Sequence, residues 1–213
     1  NQWAKALSKP TRAVFVESPS NPTLEIIDLS SVANLAHAAG ASLIIDNVFA
    51  TQLLQQRLKL GSYIVVYSAT KHIDGQGRTL GGAILGSKEF VRGPLMTFLR
   101  HTGAALSAFN AWVLVKSMDT MEMRVSRQCD NALEVANFLE ARSELIRVIY
   151  PELASHPQAK LAKLQMRRGG TIVAFELAGG KEQAFKFINA LKLVDIANNL
   201  GDTKSLVTHP ATT

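Results

Sequence analysis

Three polar clusters in this sequence contain the residue types that one coenzyme site would need. They are Asn21, then Asp46, then Ser68, Thr70 and Lys71. A lysine amine becomes nucleophilic when burial or neighbouring charge lowers its pKa, and it can then form a Schiff base with an aldehyde. A carboxylate beside a pyridine nitrogen keeps the ring protonated and able to store electrons. With hydroxyl groups to hold a phosphate, these residue types predict a pyridoxal phosphate site.

Each cluster also has an ordinary structural explanation. An aspartate after a strand often caps a turn or a helix, and a Ser-x-Thr-Lys sequence occurs by chance in many loops. The amide of Asn21 can hydrogen-bond a phenolate-like oxygen or a substrate carboxylate. The coenzyme hypothesis therefore depends on the order of the clusters, since each one follows a predicted strand.

Short apolar segments precede the three clusters and predict buried β-strands at residues 13–16, 42–45 and 63–67. A helix is predicted between the first two strands, because Asp28 can cap its start and Gly40 its end. Strands joined in this way are typical of a parallel sheet, whose ligands bind beyond the carboxyl ends of the strands. We therefore expect the clusters to meet at one edge of a sheet.

The remaining sequence predicts further elements in two groups. Residues 81–86 favour one more strand, and residues 105–142 favour two helices or one kinked helix. Strands and helices then alternate at residues 146–150, 158–165, 171–177 and 181–191. We expect an α/β protein, with part of a large domain built on a mainly parallel sheet at residues 1–125 and part of a smaller α+β domain at residues 126–213.

The composition argues against several classes of protein. The 213 residues are 47% hydrophobic and 19% charged, enough to bury one substantial core. No apolar run approaches the roughly 18 to 20 residues that cross a bilayer. The net charge of +6 includes no basic run interleaved with aromatic residues, so nucleic-acid binding is not expected. The lone Cys129 has no partner in this chain for a disulfide, which favours a cytoplasmic location.

Two other kinds of site are not expected. The five histidines show no metal-ligand spacing, and one cysteine cannot build a thiolate site, so no metal is predicted. Residues 75–81 approach the dinucleotide-binding fingerprint but have one residue too many and precede a predicted strand. His72 is expected to be an ordinary hydrogen-bonded loop histidine.

Three motifs resemble successive signatures of the Cys/Met-metabolism family of fold-type-I pyridoxal phosphate enzymes. They are ESPSNP at 17–22, DNVF at 46–49 and SATKH at 68–72. The resemblance runs along the whole chain. It implies that Lys71 forms the Schiff base with the cofactor and moves protons, and that Asp46 is the partner of the ring nitrogen.

The resemblance implies further roles at the site. Ser68 and Thr70 would hold the phosphate, and Asn21 would lie near both the ring oxygen and the substrate carboxylate. Ser205 would lie close to the same carboxylate. The family's glycine-containing phosphate loop, ring-stacking tyrosine and a Tyr/Arg pair lent by a neighbouring subunit would precede Asn1, and its carboxylate-binding arginine would follow Thr213. The chain is therefore expected to be a fragment.

The activity implied is γ-replacement on O-succinylhomoserine. Residues 73–78 and 93–112 are most similar to family members that exchange the succinyl group for sulfide and form homocysteine for methionine biosynthesis. The partners would be a small amino-acid substrate and sulfide, in a homotetramer of dimers that share active sites. γ-Synthase and γ-lyase chemistry stay open, because sibling enzymes use the same residues. A truncated, non-catalytic module is the alternative of another class.

Overall fold

A four-stranded sheet forms the first part of the molecule. The structure is a computed structural model, and it describes residues 2–56, 61 and 63–212. Its strands are β1 (Ala13–Glu17), β2 (Ser42–Asp46), β3 (Ile64–Ser68) and β4 (Gly82–Gly86), in that spatial order. The first three strands are parallel and β4 is antiparallel to β3. The predicted mainly parallel sheet is confirmed.

β4 runs antiparallel because no helix crosses over between it and β3. The chain turns immediately after β3, and the carbonyl of Gly81 accepts the backbone N–H of Ala69 at 2.8 Å. The connection, residues 69–81, consists of turns and bends without a helix, and it brings the chain back beside β3 in the opposite direction. Lys71 lies in this turn, so the turn decides where its side chain goes.

Helix α2 (Leu29–Ala38) makes the crossover from β1 to β2 and covers one face of the sheet. It begins where predicted, since the side chain of Asp28 accepts the N–H of Ser31 at 2.9 Å. Its buried residues pack against buried residues of the first two strands, among them Val16 and Ile45. At about 25 cal/mol per Å² of apolar surface, this burial is the main force that holds β1 and β2 in place.

The other elements follow the predicted order with small shifts. The predicted helical region is two helices, α6 (Ala108–Met118) and α7 (Met121–Glu140). β5 (Leu145–Ile149) pairs antiparallel with β6 (Ala174–Leu177), and β7 (Asp195–Ile196) pairs parallel with β8 (Leu206–Val207). The remaining helices are α1 (Gln2–Ala6), α3 (Thr51–Leu54), α4 (Lys88–Phe90), a π turn (Val91–Leu95), α5 (Met96–Thr102), α8 (Ala159–Gln165), α9 (Gly180–Ala190) and a 3₁₀ turn (Pro210–Thr212).

The predicted strand at 171–177 is shorter in the structure. Its pairing with β5 ends at Ala174, opposite Ile149. The partner strand continues into a turn that contains Pro151, which has no N–H to donate to a ladder. β6 therefore begins three residues later than the apolar pattern suggested.

One hydrophobic cluster joins the sheet to the helices that follow it. It contains Val65 of β3, Leu114 of α6 and, from α7, Val125 and Cys129. The expected boundary between residues 125 and 126 falls inside α7, and it stays a prediction. Among the described residues, no helix combines the length and apolar character needed to cross a membrane.

Candidate functional site

The carboxyl ends of β1, β2 and β3 lie side by side and bring the predicted polar clusters to one edge of the sheet. Glu17 is in register with Asp46, and Asp46 is in register with Val66, two residues before the end of β3. Ser68 ends β3, and Lys71 follows in the next turn. The expectation that these clusters share a sheet edge is therefore correct.

The side chain of Lys71 is held in a defined direction. Its Nζ donates a hydrogen bond of 2.7 Å to Oδ1 of Asn199. The backbone around it is closed by two turns, from the Lys71 N–H to the Ser68 carbonyl at 3.2 Å and from the Gly75 N–H to the Lys71 carbonyl at 2.7 Å. A half-buried amine is thus presented at the strand ends, where nucleophilic chemistry would need it.

Asn199 belongs to a loop, residues 198–203, that docks on the turn containing Lys71. The N–H of Thr203 donates to the Gly75 carbonyl at 2.9 Å. Gly201 packs so closely against His72 that a Cβ on Gly201 would lie 2.6 Å from the backbone nitrogen of His72. Asn199 was missed from the sequence, because its partner is 128 residues away and no periodic pattern marks the pair.

Asp46 ends β2, and its carboxylate stabilises the turn that follows; its role as partner of a ring nitrogen stays a prediction. Its Oδ1 accepts the Val48 N–H at 2.9 Å. The neighbouring Glu17 accepts the Asn21 N–H at 3.0 Å. Burial raises the pKa of Glu17; the hydrogen bond from Asn21 opposes this, and the charge of Asp46 adds to it. Two carboxyl groups therefore face a common edge, where a cationic ring nitrogen would relieve their repulsion.

The two hydroxyl groups predicted to hold phosphate differ in their surroundings. Oγ1 of Thr70 accepts the Gly81 N–H at 3.0 Å and is 3.4 Å from the Gly81 carbonyl. Ser68 is half-buried, and its hydroxyl makes no hydrogen bond to any other described residue. Ser68 is thus the freer of the two to bind an anion.

A cleft of about 320 Å³ opens beside Lys71. Its lining includes Thr70, Lys71, Arg78, Thr79, Asn198 and Asn199. Asp46 and Ser68 border the sheet edge rather than this cleft. An amine, a carboxylate and two hydroxyls at one edge are the donor set that pyridoxal phosphate requires, so the residues present fit this cofactor.

Asn21 and Ser205 lie outside the cleft lining. Asn21 is exposed in the loop after β1. Ser205 is also exposed, and its carbonyl accepts the Asp195 N–H at 2.9 Å next to the pairing of β7 with β8. The residue of this region that contacts Lys71 is Asn199 instead. The roles expected for Asn21 and Ser205 stay predictions.

An ion pair with a buried carboxylate supports the turn that contains Lys71. The carboxylate of Asp74 is fully buried and accepts the Arg78 Nε–H at 3.0 Å. Nη2 of Arg78 also reaches Oγ of Ser117 on α6 at 2.6 Å. Nη1 of Arg124 on α7 donates to the His72 carbonyl at 3.1 Å. The helices after the sheet therefore hold the turn from one side, while the loop at 198–203 holds it from the other.

His72 is the ordinary hydrogen-bonded histidine that was expected. Its Nε2 lies 2.8 Å from Oγ1 of Thr171. Burial, reinforced by the positive charges of Arg124 and Lys71, lowers the pKa of His72 to about 4. The ring is neutral at pH 7 and acts as a structural contact beneath Lys71.

Comparisons with known proteins identify the family of this chain. The family described as Cys/Met metabolism PLP-dependent enzyme matches residues 1–213. An O-succinylhomoserine sulfhydrylase from Mycobacterium tuberculosis is 55% identical over 100% of this chain and 53% of its own length. An L-methionine gamma-lyase from Fusobacterium nucleatum is 42% identical, covering 97% of this chain and 53% of that protein. The chain spans about half the length of the curated relatives it matches.

Solved structures share the fold. A cystathionine gamma synthase from Xanthomonas oryzae superposes with a TM-score of 0.96 at 33% identity, over 99% of this chain and 55% of that one. That likeness confirms the expected fold-type-I α/β architecture. On the strength of the match along its whole length, this chain belongs to the Cys/Met metabolism family of enzymes that depend on pyridoxal phosphate.

Proposed function

We propose that the protein containing this chain uses pyridoxal phosphate to exchange the succinyl group of O-succinylhomoserine for sulfide, yielding homocysteine and succinate. The observation that carries the proposal is the half-buried Lys71 amine, held by Asn199 beside a cleft at the carboxyl ends of the strands. The substrate is suggested by the sulfhydrylase relative, which is 55% identical over the full chain.

Each residue of the site has a proposed task. When bound, pyridoxal phosphate supplies an electron sink for negative charge that develops on the substrate carbons. Lys71 holds the cofactor aldehyde and moves protons at Cα and Cβ of the substrate. Asp46 would pair with the ring nitrogen, and Ser68 and Thr70 would hold the phosphate.

Two further residues are proposed to bind the substrate. Asn21 would bind near the ring oxygen and the substrate carboxylate, and Ser205 would bind the same carboxylate from the loop before β8. Asn199 keeps the Lys71 amine in place through the hydrogen bond to its Oδ1. Sulfide forms the new bond to Cγ, and succinate leaves with the electrons of the Cγ–O bond.

We propose that the whole protein works as a cytoplasmic homo-oligomer, a homotetramer built from dimers that share active sites. Large apolar side chains on α5 and α6 support an interface between subunits, since Phe98, Phe109 and Trp112 are all more than half exposed in this chain. We also propose that residues 1–125 belong to the cofactor-binding domain and residues 126–213 to the smaller domain.

Borohydride reduction tests the assignment of Lys71. Reduction fixes the cofactor to the amine that holds it, so peptide mapping of the reduced full-length protein is expected to find the label on Lys71. Lys71→Ala should lose the label, while Lys88→Ala, at the start of α4, should keep it. A label on a different lysine in the unaltered protein would overturn the assignment.

Turnover separates the proposed reaction from its siblings. The full-length enzyme is expected to form homocysteine from O-succinylhomoserine and sulfide faster than from O-acetylhomoserine. Dominant breakdown of methionine would favour γ-lyase chemistry, as in the Fusobacterium relative. Cystathionine formation from cysteine as the main activity would favour a γ-synthase.

A non-catalytic module is the second candidate, and it concerns this segment alone. The chain spans 53% of the sulfhydrylase relative. If the segment acts only as a binding or assembly module, the isolated 213-residue chain will show neither visible cofactor absorbance nor turnover with excess cofactor.

A further inference from the structure

Arg78 brings a second cation to the cleft that Lys71 lines. Both residues border the same cavity of about 320 Å³. The Arg78 side chain is 43% exposed, although its ion-pair partner Asp74 is fully buried. A guanidinium that is anchored on one edge and open on the other is a common receptor for carboxylates.

The direction of Arg78 is set before any ligand arrives. Its Nε is bound by Oδ1 of Asp74 at 3.0 Å, and its Nη2 by the Asp74 carbonyl at 3.1 Å and by Oγ of Ser117 at 2.6 Å. Its Nη1 makes no hydrogen bond within the part of the chain that the structure describes. The side chain is therefore pre-organised, which reduces the entropy cost of binding an anion.

Charge around the cleft favours an anion. The charged side chains that line it are those of Lys71 and Arg78, and none of its described lining residues is a carboxylate. Asp74, which pairs with Arg78, lies behind the lining and is fully buried. A cleft concentrates such a field and raises the local concentration of anions.

Thr79 supplies an independent sign that a polar ligand belongs here. It lines the same cleft and is only 6% exposed. Its hydroxyl finds no hydrogen-bond partner among residues 2–56, 61 and 63–212. Buried hydroxyls are nearly always paired, so a group absent from this chain is expected to pair with it.

We propose that Arg78 binds the free carboxylate of the succinyl group, and so determines the preference for a succinyl over an acetyl ester. This proposal rests on the proposed function. The two esters share the homoserine portion that Lys71 acts on. They differ in the carboxylate that lies two methylene groups beyond the ester carbonyl, and Arg78 is the cation in the cleft that has an open edge.

Substrate preference in the full-length enzyme tests this assignment. Arg78→Gln is expected to lower kcat/KM for O-succinylhomoserine roughly 10- to 100-fold relative to O-acetylhomoserine, mainly through KM, because one charge-assisted hydrogen bond is lost. Arg78→Lys should recover part of the preference. Arg127→Gln, which changes an exposed arginine on α7, should leave the ratio unchanged.

A binding measurement gives a readout that does not depend on turnover. Succinate is expected to bind the full-length protein at least about tenfold more tightly than acetate, and Arg78→Gln should remove that difference. Calorimetry with both anions, on the original protein and the Arg78→Lys variant, keeps the test valid if Arg78→Gln does not fold.

Three results would overturn the proposal. An equal loss of activity on both esters in Arg78→Gln would make the residue a structural tie. A loss of pyridoxal phosphate affinity with an unchanged ester ratio would make the cofactor phosphate its anion. Equal binding of succinate and acetate by the original protein would exclude a succinyl site. If the original protein turns over neither ester but binds succinate through Arg78, the proposed function fails while the anion site stands.

Discussion

The Nζ of Lys71 and the Oδ1 of Asn199 are joined by a hydrogen bond of 2.7 Å, although the two residues lie 128 positions apart in the chain. A neutral amide therefore holds the amine that the proposed chemistry needs. An amide oxygen can accept a hydrogen bond without pairing the amine with a full negative charge. This contact restricts where Lys71 points before the cofactor or the substrate binds.

Replacing Asn199 should impair the use of Lys71 more than the folding of the protein. Asn199→Ala is expected to lower kcat by about 10-fold or more, since a misplaced proton-transfer group costs that much in rate. The measurement is steady-state turnover of the full-length enzyme, together with its visible cofactor spectrum. Asn189→Ala, at an exposed position on α9, is the matched control. Unaltered kcat in Asn199→Ala would show that the hydrogen bond has no catalytic part.

The close packing of Gly201 on His72 predicts a stability difference between two glycines. Gly40 and Gly201 have φ values of +68° and +73°, so alanine carries the same backbone cost at both sites. A Cβ at Gly201 would lie 2.6 Å from the backbone nitrogen of His72, whereas no atom would lie within 4 Å of a Cβ at Gly40. Gly201→Ala is expected to lower the free energy of unfolding by roughly 1 to 3 kcal/mol more than Gly40→Ala. Denaturant unfolding of both variants checks this, and equal losses would contradict it.

The buried carboxylate of Asp74 should contribute more to the stability of the fold than an exposed carboxylate does. Asp74→Asn leaves Arg78 without its counter-ion, and because that arginine is 43% exposed, a loss of roughly 2 to 3 kcal/mol in unfolding free energy is expected. Asp119→Asn removes a carboxylate from an exposed pair with Lys116 and should cost less than about 1 kcal/mol. Chemical denaturation compares the two variants. Similar midpoints would mean that the pair of Asp74 and Arg78 contributes little to stability.

The low pKa of His72 predicts that the folded protein loses stability in mild acid. Its pKa of about 4 in the folded state lies below the ordinary value of 6.5. The unfolded chain therefore binds more protons between these values, and the stability present above pH 6.5 is progressively lost as the pH falls toward 4. The expected loss is about 3 kcal/mol. The free energy of unfolding, measured at several pH values, should depend less on pH in His72→Gln than in the original protein. His37→Gln, which alters an exposed histidine, should leave that dependence unchanged. An identical pH profile in all three proteins would refute the assignment.

Local patterns were sufficient to predict the strands and the helix that frame the site. Apolar runs ending in polar clusters identified β1, β2 and β3 to within a residue or two. Asp28 and Gly40 marked the ends of α2, because capping depends on residues that are neighbours in sequence. The placement of Asp46 and Ser68 at strand ends followed directly from these elements.

Contacts between distant segments could not be predicted in this way. The contact between Asn199 and Lys71 was not predicted, because the two residues are 128 positions apart. It depends on how the loop at 198–203 docks on the turn after β3. That docking is decided by close packing, such as Gly201 on His72, which leaves no periodic signal in the sequence.

The sequence alone determined that a lysine, an aspartate and two hydroxyls would meet at the carboxyl edge of a mainly parallel sheet. The positions of the strands and the alternation of their side chains follow from short-range hydrophobic patterns, so this much is encoded locally. Only the tertiary structure decided that Asn199 holds Lys71 and that Arg78 enters the same cleft on the buried Asp74. Lys71 and Asn199 are 128 positions apart, and Arg78 is also tied to Ser117 of α6, 39 positions away, so this geometry exists only once the helices and loops have packed around the sheet.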